Sequence, residues 1–129
     1  CGAPLFALTI RQLAKAVQKL LQSTDPIHQE VVSACLSNPN MVSGPKRLPT
    51  MLLEKGLFAK DGAEGVMIIG NEDGVVVWKM SDGSQRGANE LAIATLSQLG
   101  ISVDLPRESI LGGGQVVGGI TVSKLVTHG

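Results

Sequence analysis

Tyrosine is absent from this chain, and its aromatic residues are two Phe and one Trp. Stacking exposed bases takes several such rings, so the composition argues against single-strand nucleic-acid binding. Positive charge is not in surplus either. Lys plus Arg and Asp plus Glu each number 11, for a formal net charge of zero. A general nucleic-acid binder draws its affinity from a basic surface facing phosphates, and the balance of charge argues against one. No apolar run approaches the ~20 residues that span a bilayer, and no signal peptide is visible, so no membrane partner is expected. Two cysteines, Cys1 and Cys35, do not make a disulfide framework, and a cytoplasmic location is expected. The first residue is Cys rather than Met, which reads as a processed chain or a piece of a longer one.

What is present fits one domain or half-domain over residues 1–129, with a mainly helical part at 1–56 and a hairpin, a long helix and an edge strand at 57–129. Thr9 with Gln12 forms a capping-box pattern ahead of Ile10, Leu13, Val17, Leu20 and Leu21 at helical spacing. Asp25-Pro26 opens a second helix, with Ile27, Val31, Ala34 and Cys35 as its apolar stripe and Asn38-Pro39 as its end. Met41 to Pro49 reads as a loop, and a short helix over Pro49 to Lys55 stops at Gly56. Leu57 to Ala59 reads as a strand running into Lys60. Val66–Gly70 and Val75–Met80 then form a hairpin whose turn ends in Asp73-Gly74. Ser84 is expected to cap a helix with Ala88, Leu91, Ala92, Thr95, Leu96 and Leu99 inside and Gly100 at its end. Ile101 to Glu108 reads as a linker, and Gly112-Gly113-Gly114 as a turn before an edge strand at Val116–Val122. The whole is an α+β arrangement, an antiparallel sheet with helices packed on it.

Three stretches could carry chemistry. Ser43-Gly44-Pro45-Lys46 is a literal Ser-x-x-Lys, but glycine and proline inside it do not favour the regular turn that lets the amine take the hydroxyl proton. Cys1, as an N-terminal residue, offers a thiol and an α-amine, the pairing of self-processed hydrolases; no second Cys or His lies at a metal-ligand spacing from it. Lys60-Asp61-Gly62 has the form of the Lys-x-Gly strand motif of penicillin-recognising serine enzymes, in which lysine attracts a carboxylate and the strand edge binds the substrate backbone. Glu64 reads either as a catalytic group or as a partner of Lys60 or Arg47.

With these segments in place, the chain resembles the C-terminal half of the Rhizobium-type L-asparaginases, the asparaginase II family. Cys1-Gly2-Ala3-Pro4 looks like the family's Asp-Gly-Cys-Gly-x-Pro segment from its Cys onward. Gly44-Pro45-Lys46-Arg47-Leu48-Pro49-Thr50 is similar to its G-x-x-R-x-x-T loop. Lys60-Asp61-Gly62-Ala63-Glu64-Gly65 is similar to its K-x-G-A-E-G signature, and Lys79-Met80-Ser81-Asp82-Gly83 to its K-x-x-D-G.

The resemblance implies the C-terminal part of a serine β-lactamase-like fold that hydrolyses asparagine to aspartate and ammonia. It implies a Ser-x-x-Lys nucleophile in an N-terminal half that this chain lacks, so the chain alone is expected to be inactive. Lys79 and Lys60 are the implied catalytic cations, and Arg47, Glu64 and Gly62 the substrate-binding residues. Cys1 is the implied zinc ligand, with further ligands outside this chain. A homodimer is expected. The alternatives are a self-processed hydrolase with Cys1 as nucleophile and a non-catalytic homologue acting as a binding module.

Overall fold

A computed structural model describes residues 2–123 of the chain. Its helices and antiparallel sheets make an α+β arrangement, and the chain divides into two compact units, Cys1–Gly83 and Ser84–Gly129. No helix among the described residues is long and apolar enough to cross a membrane.

In the first unit α1 (Ile10–Leu21) starts at the capping box. The Thr9 hydroxyl accepts the Gln12 N–H at 3.1 Å, and Gln12 Oε1 accepts the Thr9 N–H at 2.9 Å. Helix α2 (Pro26–Ser37) starts on Asp25, whose carboxylate accepts the Ile27 N–H at 2.8 Å. The expected inner stripe of α2 holds only at Cys35, which is half-buried: Ile27 is 70% and Val31 48% exposed, and Ala34 is also outside. Val32 and Leu36 turn inward instead and, with Leu20 and Leu21 of α1, line a cavity of about 250 Å³. Apolar residues occur around most of α2, so periodicity alone cannot choose the face; packing against α1 does.

The stretch read as a loop after α2 contains a short helix, α3 (Pro39–Ser43). Pro39 ends α2 and serves as the first residue of α3, where its missing N–H costs no hydrogen bond. Helix α4 (Leu48–Leu53) follows, with Leu52 and Leu53 fully buried. Gly56 (φ 79°) closes it: its N–H donates to Leu53 O and the Leu57 N–H to Leu52 O.

Strand β1 (Phe58–Gly62) runs further than Leu57–Ala59, so Lys60, Asp61 and Gly62 are strand residues. It pairs antiparallel with β2 (Val66–Gly70), which pairs antiparallel with β3 (Val75–Lys79), leaving β1 at one edge. The β2–β3 turn is held by Asn71, whose side chain accepts the N–H groups of Asp73 and Gly74. Gln18 of α1 and Gln22, the cap residue at its C-terminal end, donate to Glu72 O, tying the helix to that turn. Gly70 is required here, since a Cβ at this position would lie 2.5 Å from Gly74 O.

Register assigns the faces. Ala59, Met67, Ile69 and Trp78 share one face and are buried, with Asp61 at its end. Lys60, Gly62, Val66, Ile68, Val77 and Lys79 share the other, and its valines and isoleucine are half-buried.

In the second unit α5 (Ala88–Gln98) is capped at Gly87, not at Ser84; the Ser84 hydroxyl accepts the Arg86 N–H instead. Glu108 Oε1 accepts the Gly87 N–H at 3.0 Å, so the cap comes from twenty-one residues downstream. Ala88, Ala92 and Leu96 are buried as expected, Leu99 is 44% exposed, and Glu90 is buried. The 101–108 stretch, read as a linker, is strapped to α5: Asn89 Nδ2 donates to Pro106 O and the Glu108 N–H to Glu90 Oε1. The expected edge strand is a hairpin, β4 (Ser109–Gly112) with β5 (Gln115–Gly119), bulged between Ile110 and Leu111. His128 lies outside the described residues.

Candidate active site

Three neighbouring pieces of the first unit meet at Asp61. Ser43 ends α3, Arg47 stands at the start of α4, and Lys60 precedes Asp61 on edge strand β1. Asp61 Oδ1 accepts from Ser43 Oγ at 2.7 Å and from Lys60 Nζ at 2.9 Å, and Asp61 Oδ2 accepts from Arg47 Nη2 at 2.5 Å. Lys60 Nζ also donates to the Asp61 carbonyl at 2.6 Å. The Asp61 side chain is 12% exposed, against 55% for Arg47 and 48% for Lys60. Burial acts to raise its carboxyl pKa. Hydrogen bonds from Lys60, Ser43 and Arg47, with the Lys60 charge, outweigh that and hold it at about 2.

The loop that carries Arg47 is set by Thr50, a buried residue whose hydroxyl donates to Gly44 O at 2.5 Å. This gives a physical reason for the G-x-x-R-x-x-T spacing: the threonine closes the loop on the glycine carbonyl, and the arginine between them faces Asp61. Ser43 and Lys46 do not form a nucleophile pair. Gly44 (φ 91°) and Lys46 (φ 61°) leave helical geometry directly after Ser43, and the Ser43 hydroxyl is spent on Asp61.

Glu64 follows β1 in a tight turn at Ala63–Gly65 and adopts left-handed geometry (φ 60°, ψ 39°), which costs a non-glycine residue roughly 1 kcal/mol. Gly65 O accepts the Met80 N–H at 2.9 Å, and Glu64 Cα lies 3.5 Å from where a Cβ on Gly83 would be. The turn therefore sits beside the end of β3. Glu64 is exposed, and the partner of Lys60 and Arg47 is Asp61 rather than Glu64. Lys79 is exposed and donates to Met80 O at 2.5 Å. Its register partner is Val66, which in turn pairs with Gly62. Lys60 and Lys79 thus share a face on the two outer strands, with Cα atoms roughly 12 Å apart from strand spacing and rise.

The structure brings Arg47 and Lys60 together, and places Gly62, Glu64 and Lys79 along the same end of one sheet. Asp61, which joins the two cations, was not singled out from the sequence. Its signal was a carboxylate sharing the apolar face of β1 with Ala59, where a charge requires partners. Cys1 lies outside the described residues. Among the described residues no three His, Cys, Asp or Glu side chains group closely enough to hold a metal, so they do not form a zinc centre by themselves.

A cationic cluster at the end of a sheet in an α+β protein suits an enzyme or binder of small carboxylates. A model of the L-asparaginase II family matches residues 1–121, and the chain belongs to that family, one of asparaginase-type amidohydrolases acting on small-molecule amides. No curated protein matches the chain.

Proposed function

We propose that this chain forms part of an L-asparaginase that hydrolyses the side-chain amide of L-asparagine with water to L-aspartate and ammonia. The observation that carries the reading is the junction of the G-x-x-R-x-x-T loop with the K-x-G-A-E-G strand, the two family-like motifs, on Asp61. Both motifs thereby contribute a cation to one place, next to the open edge of β1. Arg47 and Lys60 attract the substrate α-carboxylate, Gly62 lets the substrate approach the strand backbone, and Glu64 is placed to meet the α-ammonium. Lys79 and Lys60 are the catalytic cations, stabilising negative charge that develops on the amide oxygen as the bond is attacked.

In this reading the scaffold is the C-terminal part of a serine β-lactamase-like fold. The attacking oxygen comes from a Ser-x-x-Lys serine outside this chain, because Ser43 and Lys46 are not arranged as one. Zinc held by Cys1 with ligands from outside the chain, a homodimer and a cytoplasmic setting belong to the same reading, and no chemical step is routed through the metal.

The test is ammonia release from L-asparagine by these 129 residues alone and by the same residues together with their N-terminal half. Activity only in the pair, lost in Lys79→Ala and accompanied by bound zinc on elemental analysis, supports the reading. A pair that binds aspartate without turnover favours a binding module, and one abolished by Cys1→Ala but indifferent to chelators favours a Cys1 nucleophile.

A further inference from the structure

We propose that Asp61 is a positioning residue of this site: it holds the Arg47 guanidinium and the Lys60 ammonium together so that the pair offers one net positive charge to a single substrate carboxylate. The inference rests on the asparaginase reading above and adds a residue to it.

The two carboxylate oxygens divide the work. Oδ2 takes Arg47, and Oδ1 takes Lys60 together with the neutral donor Ser43. Ser43 adds a third direction of restraint without adding charge, which fixes the plane of the carboxylate. Two positive charges and one negative leave a surplus of one, matched to a monoanion. The anion is the inner member of the cluster and the cations the outer ones, as their exposures show. A guanidinium has five N–H donors and an ammonium three, so both retain donors after satisfying Asp61. Long exposed side chains otherwise sample many rotamers, and ordering them when substrate binds weakens binding. Asp61 orders them beforehand, drawing Arg47 from the start of α4 and Lys60 from its own strand β1.

Charge and position predict opposite signs, which makes the idea testable. Removing the Asp61 charge raises the local positive charge; if charge were all that mattered, Asp61→Asn would bind asparagine more tightly. Loss of positioning weakens binding instead. In the natural protein expressed from its whole reading frame, Asp61→Asn is expected to raise KM for L-asparagine about tenfold and, because Lys60 also serves the reacting amide, to lower kcat about fivefold. Asp61→Glu restores part of the loss, and Ser43→Ala raises KM less, in the same direction. A KM that is unchanged or lower in Asp61→Asn overturns the inference, as does an Asp61→Glu no better than Asp61→Asn. If Asp61→Asn fails to fold by circular dichroism, Ser43→Ala decides alone, and an unchanged KM there overturns the inference. A wild-type protein without turnover overturns the asparaginase reading itself. Wild-type turnover with an unaffected Asp61→Asn overturns only the role given to Asp61.

Discussion

Ala59, Met67 and Ile69 of the three-stranded sheet are at most 1% exposed, whereas every residue of the β4–β5 hairpin except Ile110 is exposed. Both sheets are antiparallel and carry valine and isoleucine, though glycine takes three of the nine strand positions of the hairpin. The difference lies in what covers them. Helix α1 packs on β3 and α4 on β1, giving the first sheet a buried face, while Leu111, Val116 and Val117 stay 64–68% exposed. Polar chemistry follows the same division. The first sheet ends in Lys60, Asp61 and Lys79, while no charged residue occurs from Ser109 to Gly119. A charged cluster needs a rigid backing to hold its geometry, and only the first sheet supplies one.

The comparison can be broken at its strongest point first. Ile69→Ala removes a fully buried side chain and is expected to cost about 2–5 kcal/mol in urea unfolding of the chain. A smaller loss would mean that the sheet is less tightly packed than its burial states. Gly70→Ala comes next, at about 1–3 kcal/mol, because its methyl meets the Gly74 carbonyl and the turn must shift.

An acid titration separates the polar end of the sheet from its apolar face. Asp61 has a folded pKa of about 2 against an ordinary 3.8, so its ionised form stabilises the fold above pH ~4 and that contribution is lost as pH falls toward ~2. The difference in urea midpoint between wild type and Asp61→Asn should therefore be flat from pH 5 to 7 and shrink on acidification. A difference that grows below pH 4 would contradict the ion-pair account. The smallest effect belongs to the hairpin: Val117→Ala is expected to change stability by no more than ~0.5 kcal/mol, and a loss like that of Ile69→Ala would erase the distinction between the sheets.

Much of the local structure could be read directly. Thr9-Gln12, Asp25-Pro26 and Asn71 to Gly74 satisfy backbone groups within a few residues, and such chemistry is written in adjacent letters. The β2–β3 hairpin followed from two β-branched-rich runs joined by a turn ending in Asp73-Gly74. Local letters mislead where partners are distant. Glu108 caps α5 from twenty-one residues away, and Asn89 and Glu90 strap the 101–108 segment to the helix. For α2, apolar residues on several sides left its inner face to be chosen by α1.

The site divides in the same way. Arg47, Lys60, Gly62, Glu64 and Lys79 were candidates on two short motifs and a strand ending, and the structure gathers Arg47 and Lys60 at Asp61 with the other three near the same end of the sheet. That Arg47 and Lys60 share one carboxylate could not be named, since Arg47 and Asp61 are fourteen residues apart. By itself the sequence determined the starts of α1 and α2, the β2–β3 hairpin turn and which charges were available, through capping and turn chemistry. The tertiary structure alone decided which charges meet, because an ion pair forms only where packing of α3, α4 and β1 brings its members within reach and partly out of water.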